Sequence, residues 1–220
     1  MHDSQAVASA RPFRSLAALG LLVLALAAVP AQAQVWVESP DAGDLVSTAQ
    51  TTVGTGPLTQ IQGFLASPTD VDVYCVHLSV TPPAFAPIIG LNCVVIQGPN
   101  VWLFDAAGNG IASNSTCSGG SKQILAPSTS LPPGDYYVAV SYFEWDPQSS
   151  LGAMWQPVLP FWRAPDGPGA AGTLTGWAGS PVIQPINPYQ VFFNPGFEFC
   201  GAATPNSHPT WGSLKIRYGL

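Results

Sequence analysis

The sequence predicts an all-β protein, a single domain of short strands joined by turns, and three observations predict it. Of 220 residues, 22 are Gly and 23 are Pro. Proline removes a backbone donor and glycine costs helix stability, so a chain this rich in both does not sustain long helices. No segment of useful length carries a helical period, whereas several show the period-two alternation of a half-buried strand. The length suits one sizeable β domain, a class that often runs past about 200 residues without dividing.

The first 33 residues read as a targeting segment. Arg11 and Arg14 precede an apolar run from Leu16 to Val29, and Pro30, Ala31 and Ala33 follow it. This is the order of a secretory signal peptide, with cleavage expected after Ala33 and an uncleaved anchor as the alternative. The run is shorter than the roughly 20 residues of a membrane-spanning helix. The chain beyond it keeps Lys122, Arg163, Lys215 and Arg217 against eleven carboxylates, a net charge of −7. Nucleic acid is excluded as a partner, because phosphate binding needs clustered Lys and Arg. No polybasic patch addresses anionic lipid either. An acidic exported surface suits cation binding, or solubility alone.

The strands follow in order. "VWV" (35–37) runs into the acidic turn "ESPDAGD", and "LTQIQGFLA" is the next candidate. In "DVDVYCVHLSV", alternation puts Val71, Val73, Cys75 and His77 on one face and Asp72, Tyr74, Val76 and Leu78 on the other. The second face is the more apolar beyond Asp72, so Tyr74, Val76 and Leu78 are expected in the core. "CVVIQ" is bounded by the turn "GPN", and "VWLFD" by "AAGNG", where Gly108, Asn109 and Gly110 permit a hairpin-like reversal. "LPPGD" launches the aromatic and β-branched strand Tyr136 to Phe143, and "PYQVFF" (188–193) closes the domain. Residues 194–220 are expected to be a connector and a short, locally basic tail.

Residues 144–180 change character. They are rich in Pro and Gly, yet they carry Trp145, Trp155, Trp162 and Trp177. A disordered linker is poor in aromatics, so the segment is expected to be a long ordered loop packed over the sandwich, with disorder as the alternative. Its tryptophans either cover the core or form a ligand-binding platform for sugar rings or protein fibres.

Four cysteines, Cys75, Cys93, Cys117 and Cys200, lie in the exported part. Their even number and oxidising destination predict two disulfides. Cys75 is expected to join Cys93 or Cys117, with Cys200 tying the connector back. Zinc is the weaker alternative, since no CxxC pair or second nearby His accompanies Cys75 and His77.

Taken together, "GPLTQIQGFLA", "DVDVYCVHL", "VWLFDAAGNGIA", "LPPGDYYVAVS", "DGPGAAGTLTGW" and "PYQVFF" resemble the bacterial pre-peptidase C-terminal domain over roughly residues 38–193. The resemblance implies a β-sandwich of jelly-roll type over 34–193, without catalytic activity. Such domains accompany secreted enzymes, and some bind calcium or polymeric substrates. Here the signal segment leads almost directly into the module, so the accessory role is expected to be played alone or toward a separate partner.

An enzyme is not expected. His77 and His208 are the histidines beyond the signal segment, and HExxH, GxSxG and SxxK are all missing. A paired-carboxylate hydrolase requires convergence among Asp70, Asp72, Asp105, Asp135, Glu144 and Asp146. Asp105 and Asp135 adjoin Gly-rich turns, where carboxylates commonly satisfy backbone donors. Two classes of function remain: a secreted binding or accessory module acting on an extracellular polymer or partner protein, and a structural component of the envelope or matrix.

Calcium is the one cofactor the residues suggest. It takes six to eight oxygens, usually from carboxylates and carbonyls. Glu38, Asp41 and Asp44 precede the first sandwich strands, and Asp70 and Asp72 stand at a strand entrance. These positions match the two places that share an ion in calcium-binding members of the family the chain resembles. An ordinary acidic turn with a solvated strand end is the alternative.

Overall fold

A computed structural model describes residues 34–79, 89–92, 98–115, 123–125, 131–157, 163–182 and 188–202. The expected signal peptide, Cys93, Cys117, Trp162 and the strand "CVVI" lie outside the described residues. So does the tail from residue 203 onward.

The described chain is all-β, as its composition predicts. Its strands are β1 (Gln34–Val37), β2 (Gln50–Thr51), β3 (Val53–Gly54), β4 (Leu58–Gly63), β5 (Val71–Leu78) and β6 (Ile89–Leu91). They continue with β7 (Asn100–Asp105), β8 (Gly110–Asn114), β9 (Gln123–Leu125), β10 (Gly134–Ser141) and β11 (Phe143–Ser149). The last are β12 (Gly152–Ala153), β13 (Leu174–Val182), β14 (Tyr189–Phe193), β15 (Phe197–Phe199) and β16 (Gly201–Ala202). One 3-10 turn, Val46–Thr48, breaks the pattern, and among the described residues no helix is long and apolar enough to cross a membrane.

Two sheets make the sandwich. One runs β1-β4-β14-β6-β9; the other runs β15-β5-β10-β7-β8, with β2 added in parallel beside β5. Period two decides what lies between them. Leu58 and Ile61 of β4 and Tyr189 and Val191 of β14 meet Tyr74, Val76 and Leu78 of β5 and Val138 of β10 in one buried cluster. The core face read from the β5 sequence is therefore the one the fold uses.

The opposite face of β5 is buried too. Val71 and Val73, with Trp102 and Phe104 of β7 and Ala139 of β10, form a second core closed by Met154, Trp155 and Leu174. Its cover is the segment expected to be a loop. It does pack over the sandwich, but as a three-stranded sheet, β12-β11-β13. Pro147 and Pro181 sit within those strands, and proline is tolerated where a ladder hydrogen bond is not required.

The C-terminal boundary also moves. Within the segment expected to be a connector, the described residues form strands: β15 pairs with β5, and β16 pairs in parallel with β3. Between them Cys200 is bonded to Cys75 at a Cα separation of 5.5 Å. This corrects the expected pairing of Cys75 with Cys93 or Cys117. Cys75 lies on the edge of β5 that β2 and β15 share, so the cysteine carried past β15 reaches it first. The hairpin at β7–β8 forms as the Gly/Asn cluster predicts, with Gly108 at φ 87° and the Asp105 carboxylate accepting from the backbone N–H groups of Ala107 and Asn109, each at 2.9 Å.

Candidate functional site

The acidic residues at the start of the sandwich converge. The N–H of Glu38 extends the β1–β4 ladder by donating to Gln62, which fixes Glu38 at the rim of the first sheet. Its carboxylate is held by two backbone donors, Ala42 on Oε1 and Phe64 on Oε2, each at 2.8 Å. The loop that follows is pinned to the second sheet by Val73 N–H donating to the Gly43 carbonyl at 3.0 Å. Asp41 is thereby delivered to Asp72. Carboxylate oxygens of Glu38, Asp41 and Asp72 all lie within 4.8 Å of one another.

Asp72 is the centre of this cluster and is completely buried. The reading of a solvated strand end does not hold for it. Its Oδ2 accepts a 2.5 Å hydrogen bond from the Tyr189 hydroxyl, which is itself 2.6 Å from the hydroxyl of Tyr74. Its Oδ1 has no hydrogen-bond partner among the described residues. Burial pushes the Asp72 carboxyl up to about 9, and the charges of Glu38 and Asp70 add to the rise against the lowering effect of Tyr189. As two carboxylates Glu38 and Asp72 have no hydrogen to share; protonated once, they form a hydrogen bond. Burial also raises Tyr74 and Tyr189, so the phenols remain donors.

Asp70 stands beside the cluster, and its Oδ2 accepts from the Ala66 N–H. Its carboxyl is raised by burial, which outweighs that bond, and by the charges of Asp41 and Glu38. Asp44 is not brought in: its carbonyl accepts from the indole N–H of Trp177 at 2.7 Å. The donor set fits a hard cation, with three carboxylates converging and one buried carboxylate oxygen left without a proton donor. Glu38, Asp41 and Asp72 would hold it, with Asp70 adjacent. A second grouping, Cys75, Cys200 and Asp135, offers no thiolates because its sulfurs are bonded to each other.

No family model matches the chain, and no curated protein does. The likeness to the pre-peptidase C-terminal domain therefore rests on the quoted motifs and their order.

The other predicted positions separate by place. Asp135 pairs with His77, its cross-strand neighbour, at 2.6 Å on a solvent-exposed face where such pairs contribute little. Of the two readings of the tryptophans, Trp145, Trp155 and Trp177 take the core-covering one. Trp155 is 1% exposed, its ring 5.1 Å from that of Trp102 and 6.0 Å from Phe104. Trp177 is partly buried against the same two rings, and Trp145 packs on both cores. Alternation on β7 places Trp102 and Phe104 opposite this cover, but only the chain's return after β12 supplies Trp155.

Sequence reasoning missed one feature. A cleft of about 300 Å³ opens beside Trp155 at the start of β7, where Asn100, Glu144, Asp146 and Arg163 meet. Glu144 and Asp146 were candidates for a carboxylate pair; Asn100 carried no signal, because nothing local marks an amide whose partners lie across the fold.

Proposed function

We propose that the protein is an exported, non-catalytic accessory module of the pre-peptidase C-terminal type, stabilised by calcium and acting on an extracellular polymer or a partner protein. The observation that carries the reading is the buried Asp72, one oxygen unpartnered among the described residues, in a cluster with the carboxylates of Glu38 and Asp41. Three clustered carboxylates without a cation repel one another, and an ion that binds only the folded state stabilises it by mass action. The motifs "DVDVY" and "PGDYYVAVS" support the family assignment in the same region of β5 and β10. The test is thermal unfolding of the exported chain in chelator and in calcium, with magnesium as the control. A calcium-specific rise supports the reading; identical curves remove its cation.

One observation favours a second reading, assembly of copies into an envelope or matrix structure. β1 is an edge strand with Val35 47% and Val37 60% exposed. Exposed apolar edges pair with other chains unless blunted. Concentration-dependent polymers on sizing chromatography, abolished by Val37→Lys, would select this reading over a monomeric accessory module.

A further inference from the structure

The cleft at the start of β7 brings together polar groups that neither core uses. Asn100 is 1% exposed, and neither its amide nitrogen nor its amide oxygen has a hydrogen-bond partner among the described residues. Buried amides are normally paired, so an orphaned one lining a cleft points to an occupant. The side chain is placed there by alternation: Asn100, Trp102 and Phe104 share one face of β7, and Trp102 is fixed by donating its indole N–H to Ser141 at 2.9 Å.

The opposite wall is carboxylate. Glu144 follows the end of β10 in a left-handed conformation, φ 61°, at a turn closed by Trp145 N–H donating to the Tyr142 carbonyl. A non-glycine residue held there is strained, and such strain collects at functional positions. Gly179 lies across from it, where any Cβ would collide with the Glu144 carbonyl. Asp146 is the next residue on that side, and Arg163 is held by its backbone pairing with Ser113 and by its ion pair with Asp166.

We propose that this cleft binds one neutral sugar residue of an extracellular polysaccharide. The inference rests on the accessory reading above and names the ligand class. The Asn100 amide presents a donor and an acceptor side by side, the complement of two adjacent hydroxyls, each of which both donates and accepts. Glu144 and Asp146 accept from further hydroxyls, and Arg163 donates. The cleft-lining Phe143 and Pro157, both reachable from solvent, give the apolar wall that the C–H face of a sugar ring packs against, and the buried Trp102 and Trp155 back it. Anionic sugars meet two carboxylates, and a cation leaves the amide N–H₂ unpaired and faces Arg163. The volume lies at the lower end of small-molecule pockets, about 300–1,000 Å³, which suits a single ring.

The test uses the whole exported chain, oxidised, titrated with soluble oligosaccharides from cellulose, chitin, xylan and mannan, and followed by tryptophan fluorescence and calorimetry. Cellulose, chitin and gelatin serve as insoluble baits. The expected result is saturable binding of one oligosaccharide, weakened roughly tenfold or more by Glu144→Gln and by Asn100→Ala, as loss of a hydrogen bond to a charged or buried group implies. Glu144 is exposed at a turn, so its variant keeps the fold if Asn100→Ala does not. Sugar binding untouched by Glu144→Gln in folded protein overturns the cleft and leaves the accessory reading standing. Capture by gelatin alone does the same. Binding to no sugar and no bait overturns both.

Discussion

Tyr189 and Asp72, 117 residues apart, join the two sheets of the sandwich through a hydrogen bond of 2.5 Å at a point where neither residue is exposed. The phenol donates and the carboxylate accepts. Tyr74, next but one to Asp72 on β5, bonds the same phenol from the other side. Among the described residues, the one hydrogen-bond donor to this buried carboxyl thus comes from the opposite sheet.

Replacing Tyr189 by Phe keeps the ring and removes that donor. Asp72 then has no hydrogen-bond partner on either oxygen among the described residues. The expected loss is about 1–3 kcal/mol, the cost of a buried polar group left unsatisfied. Urea unfolding of Tyr189→Phe measures it, and a midpoint equal to that of the wild type would show the bond to be dispensable.

Trp155→Ala distinguishes core from platform. The ring is fully enclosed by Trp102, Phe104 and their neighbours, so truncation is expected to cost about 3–5 kcal/mol, as for other buried large aromatics. A variant as stable as the wild type would favour the ligand-platform alternative for Trp155.

The two outcomes depend on how far the sequence reads. Strict alternation made the Tyr74, Val76 and Leu78 face of β5 legible, because period two is a local property. The same alternation put Asp72 on that face, but a carboxylate near a strand end reads as solvated unless its partners are known. Tyr189, Glu38 and Asp41 come from other elements. The Trp-rich segment was legible as ordered cover through its aromatics; its strands were not, since Pro147 and Pro181 contradict strand propensity and only pairing between β11 and β13 reveals them. The disulfide likewise depended on where β15 returns.

Asp146 provides a pH signature for the cleft. Burial pushes its carboxyl up from 3.8 to about 6, with the Glu144 charge adding to the rise and Arg163 opposing it. Because the folded-state value lies above the unfolded one, the folded state binds the extra proton between about 4 and about 6. Stability from this group is therefore greatest below pH 4 and falls as pH rises to 6, with no further change above. Other raised carboxyls titrate too, so the measurement is the difference between wild type and Asp146→Asn. That difference is expected to grow in favour of the variant across this window; a flat difference sinks the assignment.

Cys75–Cys200 closes 125 residues of chain. A loop of that length restricts the unfolded ensemble by about 5 kcal/mol in the chain-entropy account, and removing a native disulfide typically costs about 2–5 kcal/mol. Cys200→Ser is expected to fall in that range. It also releases the anchor beside β15 and β16, so limited proteolysis should cut first after residue 193. Intact protein after cleavage trials on the variant would mean that strand pairing alone holds the C-terminal edge.

The calcium test turns on the charge of Asp72. Without a cation the Asp72 carboxyl, pushed up to about 9 by burial and by Glu38 and Asp70, must take up a proton on folding at neutral pH, so Asp72→Asn removes that cost while keeping an acceptor for Tyr189. In chelator the variant is expected to melt no lower than wild type. In calcium the order reverses. An extracellular module with a dissociation constant of about 0.1–1 mM gains roughly 1.4–2.7 kcal/mol at about 10 mM calcium. For a domain of this size that is a rise of about 3–10 °C. The variant, short of one ligand and one charge, is expected to show little or none of it. Differential scanning calorimetry of both proteins in both conditions gives four melting temperatures, and the interaction between variant and ion is the quantity of interest. A wild type that ignores calcium while Asp72→Asn is more stable in every condition would mean that Asp72 is held as a protonated, uncharged donor beside Glu38, and that the cluster serves folding without a metal.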